Sequence, residues 1–383
     1  MGVDSFTIFH VIAQLRLGAG RFVADAAIEQ ARGRGHRVTV CVSADADEHW
    51  RTDPRLVSEL APHGIQVQTI GDFFHRRLDL LHEAAARLRE LRERSAGTVI
   101  VHAHTAMAAA VGHWAQPDGL IATCHGWGTG RPAEMDLQDS LAYQLCDSVV
   151  TYSRYWADRL TRDLAVPSPM NLPMGLDLER FPPLPETQRR LSDPLRLVTV
   201  CELTPRKGVD LLLNAMPAVW ERRPEAELHI LGHGESAADL QGLAAKLDPG
   251  MKRVFFYGAV PHPYDQLANF DLFVLASRSD NLPVAILEAM LAGLPIVTTA
   301  VGGVPDLISA AVCGRVLPPE SSAALAEAIL AMGEQGRRKL SALGRKGERF
   351  VRRRFDGRKL SLALERIYRN ALRRRRRKRP HGQ

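Results

Sequence analysis

The sequence predicts an α/β protein made of two doubly wound, parallel-sheet domains facing each other across a cleft. Three observations carry that expectation. Apolar runs of strand length alternate with helix-period segments from end to end. The alternation comes as two series, parted by the Pro- and Leu-rich stretch NLPMGLDLERFPPLP at 171–185. A length of 383 residues also exceeds what one hydrophobic core usually fills. Near-continuous apolar strands joined by amphipathic helices are the mark of parallel sheets covered on both faces.

The first series opens with FTIFHVI (6–12), followed by a helical pattern from about Arg21 to Arg34 that closes on GRGH. RVTVCVS (37–43) is the next strand. TVIVHAH (98–104), LIATCH (120–125) and SVVTYS (148–153) then each precede a helical pattern. The second series comprises LRLVTVC (195–201), ELHILG (227–232), RVFFYG (253–258), LFVLAS (272–277) and PIVTT (295–299). The domains are accordingly assigned to 1–178 and 187–356, and the chain ends in a basic tail at 373–383.

Hydrophobic content of 45% and charged content of 24% are those of an ordinary globular protein. Five scattered cysteines (Cys41, Cys124, Cys146, Cys201, Cys313) form no Cys-x-x-Cys pair, which argues for reduced core thiols in a cytoplasmic protein. No apolar run approaches the roughly 18 residues of a membrane span. The N-terminus lacks the basic region of a signal peptide. Net charge is +7, and Arg373–Arg379 alone supplies seven positive charges. That run is either a solvated end or an anchor to an anionic membrane surface on the inner face of the plasma membrane, at about 1 kcal/mol per basic residue. Nucleic acid is disfavoured as a partner, because no aromatic-studded basic patch accompanies the run.

Doubly wound sheets bind ligands at the carboxyl ends of their strands. The residues there are Gly18 and Gly20, His102 and His104, His125, Glu202 to Lys207, Gly232 and Gly234, Asp280, and Gly302 and Gly303. The stretch SDNLPVAILEAMLAGLPIV (279–297) is the most informative. Asp280 or Asn281 is placed to cap a helix, Pro283 fits its first turn, and Gly293 with Pro295 ends it. Glu288 is then a charge inside an apolar helix, and it needs a partner or an open edge.

These features together resemble the retaining glycosyltransferases of the GT-B fold, specifically family 4. LGAGRFVADAAIEQARGRGHRVTV resembles that family's opening glycine loop and helix, and NLPMGLDLERF its interdomain motif. LTPRKGVDLLLNAM is similar to L-x-x-x-K-G-x-x-x-L, and ILGHGE to I-x-G-x-G. Residues 279–297 match its E-x7-E motif, and GGVPDLI the motif that follows. The resemblance spans about residues 7–370 and implies that the helix at about 357–372 returns to the first domain.

The resemblance implies a hexose transfer from a nucleotide diphosphate-sugar, UDP or GDP, to a hydroxyl of a glycan or glycolipid precursor. Cell-surface polysaccharide or lipopolysaccharide synthesis is the implied setting. The leaving group departs with negative charge, which fixed donors stabilise. The helix start near Pro283 offers N–H groups of Leu282, Val284 and Ala285 to the phosphates. Lys207 and Arg206 add positive charge, and Gly18 and Gly20 let backbone approach closely. Glu288 takes the ribose hydroxyls, Asp280 the donor sugar, and His125 sits near the reacting centre. His125, Asp280 and Lys207 are the implied catalytic set.

Two departures stand out. Asp280 replaces the family's usual glutamate, shortening its reach by about 1.5 Å. Cys201-Glu202-Leu203 stands where the family commonly has G-R-L, so Arg206 or Arg21 would have to supply the missing cation. This second departure leaves a nucleotide-sugar-binding protein without turnover as the alternative. No cofactor or metal is implied beyond the donor. The Asp45–Asp47 D-x-D run reads as a chance match in a polar loop. His102 and His104 are assigned to opposite strand faces, and with no acidic or thiol partner nearby no zinc site is expected. The Gly-Ala-Gly of 18–20 does not complete a Gly-x-Gly-x-x-Gly turn, since position 23 is valine.

Overall fold

The computed structural model describes residues 5–44, 52–126, 131–183 and 194–378. The chain divides into two compact units, one made of residues up to Asp177 together with Phe355 onward, the other Leu178–Arg354. The Asp45–Asp47 run lies outside the described residues.

In the first unit the chain runs β1 (Thr7–Ile12), α1 (Leu17–Arg34), β2 (Arg37–Val42), α2 (Pro54–Leu60), β3 (Gln66–Thr69) and α3 (Leu78–Glu93). It continues through β4 (Val99–Ala103), α4 (Ala106–Trp114), β5 (Gly119–Cys124), α5 (Ala133–Gln144), β6 (Ser148–Thr151), α6 (Arg154–Leu164) and β7 (Met170–Asn171). The seven strands are parallel in the order β3-β2-β1-β4-β5-β6-β7. Every residue of β1, β4 and β5 is buried, as strands covered on both faces must be. Helix starts follow local chemistry. Asp53, Thr105 and Ser153 cap α2, α4 and α6 by accepting backbone N–H bonds two or three residues on.

The second unit contains β8 (Arg196–Val200), α7 (Val209–Arg222), β9 (Glu227–Leu231), α8 (Ala237–Leu247), β10 (Val254–Phe256), α9 (Tyr264–Leu267) and β11 (Leu272–Leu275). Then come α10 (Val284–Leu291), β12 (Ile296–Thr299), α11 (Val304–Ala311), β13 (Gly314–Leu317), α12 (Ser322–Gly333) and α13 (Arg337–Arg354). Six parallel strands run β10-β9-β8-β11-β12-β13 around a core that includes Leu197, Leu213, Ile230, Val274 and Val297. The last helix, α14 (Gly357–Lys378), packs on α1 and β5 of the first unit.

Two parallel doubly wound sheets are therefore present, and all ten strands read from the sequence occur. Two helix boundaries and three edge strands differ from expectation. Helix α1 starts at Leu17, so Gly18 and Gly20 lie in its first turn and not in a loop. Helix α14 runs on to Lys378, making the basic run helical as far as it is described. Strands β3, β7 and β13, which the sequence did not announce, sit at sheet edges. Among the described residues, no helix is long and apolar enough to cross a membrane.

Candidate functional site

In the second unit, β8 and β11 are neighbours at the point where the strand order reverses. Open α/β sheets bind ligands just beyond such a switch point. The chain leaves β8 through a short helical turn, Pro205–Lys207, and passes Gly208 at φ 64°. A Cβ there would lie 2.1 Å from the Ala276 carbonyl oxygen. Glycine alone lets this turn rest against the end of β11, and that contact delivers Lys207 to Asp280.

The Lys207 Nζ lies 2.5 Å from Asp280 Oδ2, both side chains being 12% exposed. Ser277 Oγ donates to the same oxygen at 3.4 Å, and Asn281 N donates to Oδ1 at 3.0 Å. Arg206 Nη1 stands 3.6 Å from Oδ1 and donates to the Ser279 carbonyl at 3.0 Å. From the third loop, Gly303 N donates to the Asn281 carbonyl at 2.8 Å. Arg278, which the sequence reading passed over, braces the assembly. It donates to both Asp210 oxygens at 2.7 Å and to the Pro205 carbonyl at 2.7 Å. The Arg278 guanidinium holds the Asp210 carboxyl below its ordinary range. A basic residue just past a strand's carboxyl end was the available signal.

The expected cap on α10 is absent. Pro283 occupies the N-cap position with no side-chain cap hydrogen bond, because Asp280 is engaged by Lys207 and by its own loop. Along α10, Ile286, Leu287, Ala289, Met290 and Leu291 are buried, whereas Val284, Ala285 and Glu288 are only partly so. Positions i, i+1 and i+4 share one helical stripe. Glu288 therefore lies on the same partly open edge as the first turn, which resolves how an acid fits this helix. Leu282 is buried at the entry to the helix.

Glu202 is half-buried at the end of β8, where its carbonyl accepts from Thr204 N. The Arg21 guanidinium is committed to Asp25, at 2.6 Å, and to Glu59. Arg206 is thus the arginine that stands beside Lys207 and Asp280.

In the first unit Gly20 is a packing glycine. Its N donates to the Arg16 carbonyl at 2.9 Å, and a Cβ would meet the Leu15 carbonyl carbon at 2.6 Å. Gly18, like Ala19 beside it, is half-exposed in the first turn of α1. His125, just past β5, is half-buried, and burial pulls its ring down to about 4. His102 and His104 do not lie on opposite faces. Strand side chains repeat every two residues, so positions i and i+2 share a face, and the two rings stack with centroids 4.5 Å apart. His10, register-paired with His102 across β1 and β4, joins them, and their nearest ring nitrogens all lie within 4.8 Å of one another.

Residues 17–180 match the family model described as Glycosyltransferase Family 4, and residues 194–335 the model described as Glycosyl transferases group 1. A GDP-mannose-dependent alpha-(1-6)-phosphatidylinositol monomannoside mannosyltransferase of Mycolicibacterium smegmatis is 30% identical over 201 residues, 48% of this chain and 52% of that protein. The chain spans about half the length of the first curated relatives it matches. Among solved structures, a glycosyltransferase from Rickettsia africae has a TM-score of 0.80 at 17% identity, covering 97% of this chain and 99% of that one. The Anabaena HepE protein in complex with UDP and glucose follows at 0.76 and 19%, covering 94% and 98%. These likenesses are of fold, while the two family models match the halves of the chain in order. The chain belongs to glycosyltransferase family 4, the glycosyl transferases group 1, and has the GT-B fold.

Proposed function

We propose that the protein transfers a hexose from a nucleotide diphosphate-sugar to a hydroxyl of a glycan or lipid-linked precursor, with retention of anomeric configuration. The observation that carries this reading is the switch-point cluster. Lys207 and Asp280 come together 2.5 Å apart beside the uncapped start of α10. The Lys207 ammonium and the first-turn N–H groups offer positive potential to a diphosphate, and the dipole of α10 adds to it. Glu288, on the same stripe, accepts from ribose hydroxyls. Asp280 holds Lys207 in place and leaves its carboxylate edge for donor-sugar hydroxyls. His125 is neutral at physiological pH and acts by hydrogen bonding. The leaving phosphate oxygen takes the acceptor's proton, so no side-chain base is required.

The base and hexose of the donor are open, and GDP-mannose and UDP with glucose are two of the chemistries named among the relatives. For the acceptor, a surface of the first unit favours a lipid-linked molecule. Leu137, Leu141 and Leu145 form an exposed stripe along and just past α5 (61%, 56% and 41% exposed). Two residues beyond Leu145, Asp147 is held by Arg375 at 2.8 Å, so the basic end of α14 meets the end of that stripe. An apolar stripe bordered by arginines suits an anionic membrane face. Replacing the exposed Arg373, Arg374, Arg376 and Arg377 by glutamine should weaken sedimentation with anionic vesicles by about a thousandfold, from about 1 kcal/mol per charge. Unchanged sedimentation would remove the anchor.

A mass-spectrometric screen of UDP- and GDP-sugars with the purified protein tests the activity itself. Lys207→Ala should lower the transfer rate by about 100-fold or more, the scale of losing one fixed donor to a developing anion. Glu288→Ala should weaken donor binding by about tenfold, as loss of a charged hydrogen bond does. Wild-type turnover in both variants rejects the site. Glu202, in place of an arginine, keeps the non-transferring reading in view: donor bound but neither hydrolysed nor transferred across an acceptor panel would establish it.

A further inference from the structure

A single file of hydrogen bonds crosses the interior of the first unit from His125 to Thr123. The His125 Nε2 meets His104 Nδ1 at 3.2 Å, and His104 Nε2 meets His10 Nδ1 at 2.9 Å. His10 Nε2 meets Gln30 Oε1 at 2.7 Å, and Gln30 Nε2 donates to the Tyr368 hydroxyl at 3.0 Å. That hydroxyl meets His102 Nδ1 at 2.8 Å, and His102 Nε2 meets Thr123 Oγ1 at 2.7 Å. Beyond His125, every member is at most 1% exposed. Burial also holds the rings neutral. It pulls His10 and His125 down to about 4, and His102 and His104 well below their ordinary value.

A neutral imidazole has one donor and one acceptor nitrogen, so the direction of one bond fixes the next. The Gln30 carbonyl faces His10, which must donate from Nε2 and accept at Nδ1. His104 then donates from Nε2, and so does His125. On the other side the Gln30 amide donates to Tyr368, whose own hydrogen goes to His102, which passes its Nε2 hydrogen to Thr123. One amide thus orders both arms. Three histidines in such proximity are also a zinc-ligand set by residue type, but each of their ring nitrogens is already engaged within the file.

We propose that Gln30 sets the tautomer of His125 across two intervening rings, so that His125 commits its Nε2 hydrogen inward and keeps Nδ1 as a hydrogen-bond acceptor. An acceptor edge suits a sugar hydroxyl and disfavours a phosphate oxygen. Gln30, His10 and His104 are positioning residues. Their bearing on transfer rests on the reading of His125 as a site residue, whereas the tautomer itself does not.

Gln30→Met removes the terminal carbonyl at nearly constant volume. A buried N–H without an acceptor costs more than a bare lone pair, so the hydrogens should move to Nδ1 on His10, His104 and His125 in turn. His102, still served by Tyr368 and Thr123, should stay as it is. Two-bond proton–nitrogen correlation spectra of the ¹⁵N-labelled full chain at pH 7.5 read these states directly. The wild type should show Nε2–H on all four rings, and Gln30→Met should show Nδ1–H on three. Mixed or Nδ1–H states in the wild type, an unchanged His125 in the variant, or stoichiometric zinc bound in the wild type would each overturn the proposal. The wild-type spectrum decides even if the variant does not fold. A switched tautomer with kcat reduced about tenfold and donor KM unchanged supports both the relay and the site; a switched tautomer with unchanged kcat supports the relay and removes His125 from the site.

Discussion

Asp280 owes its position to what Gly302 lacks. A Cβ at residue 302 would sit 2.3 Å from the Asp280 carbonyl oxygen and 2.4 Å from that of Asn281, and the backbone there has φ 52°. Gly302→Ala should therefore displace the Asp280 loop, costing on the order of 1–3 kcal/mol of stability and most of the transfer activity. Gly242→Ala is the contrasting case, since a Cβ on that exposed residue of α8 meets nothing within 4 Å. It should stabilise by about 0.5–1 kcal/mol with turnover unchanged. Denaturant titrations and initial rates on both variants check the pair, and equal behaviour would refute the loop argument. At this scale the sequence was readable for where Lys207 and Asp280 stand, in the segments that follow β8 and β11, and for Glu288 as the one acid of α10. It was opaque for His10, which sits inside an apolar strand and acquires meaning only when β1 lies beside β4. The H-x-H pair was legible in principle, because period-two geometry alone puts both rings on one face.

Among the elements, burial decided what could be read. The ten strands found from the sequence include every interior strand, where two covered faces demand continuous apolar residues. Gln-Val-Gln-Thr of β3, the two residues of β7 and Gly-Arg-Val-Leu of β13 lie at edges and carry no such signature. Helix ends were obscured differently. The start of α1 is built from glycines, which sequence reasoning assigns to turns, yet Gly20 is held in the helix by close packing on Leu15. The end of α14 was open between a solvated tail and a membrane anchor, because a run of seven cations shows no apolar face. In the fold Arg375 bonds Asp147 at 2.8 Å and the Pro117 carbonyl at 2.6 Å, which secures the last turns. Arg375→Ala should speed amide exchange over residues 373–378 several-fold, as loss of about 1 kcal/mol implies. Unchanged protection would show that the helix end holds without that arginine.

For the molecule as a whole, the neutral histidines tie stability to pH. Their folded values lie below the ordinary 6.5, with His10 and His125 at about 4. The unfolded chain therefore binds the extra protons. Their contribution is complete above pH 6.5 and is lost as pH falls from there toward about 4, by about 1.4 kcal/mol per pH unit for each proton. Calorimetry at pH 5.5 in buffers of different ionisation enthalpy should find at least three protons taken up on unfolding, and uptake of one or none would contradict neutral rings. A different consequence follows from the return of the chain's last helix. Tyr368 completes the hydrogen-bonded file in a unit whose other members are all made before Leu178, and the whole of Leu178–Arg354 is synthesised in between. At about 5–20 residues per second, a nascent chain waits roughly ten to forty seconds with the flank of α1 and the end of β5 bare. The amino-terminal half thus leaves the ribosome unfinished, and ribosome-stalled chains truncated before Gly357 should recruit chaperones that the released protein no longer needs.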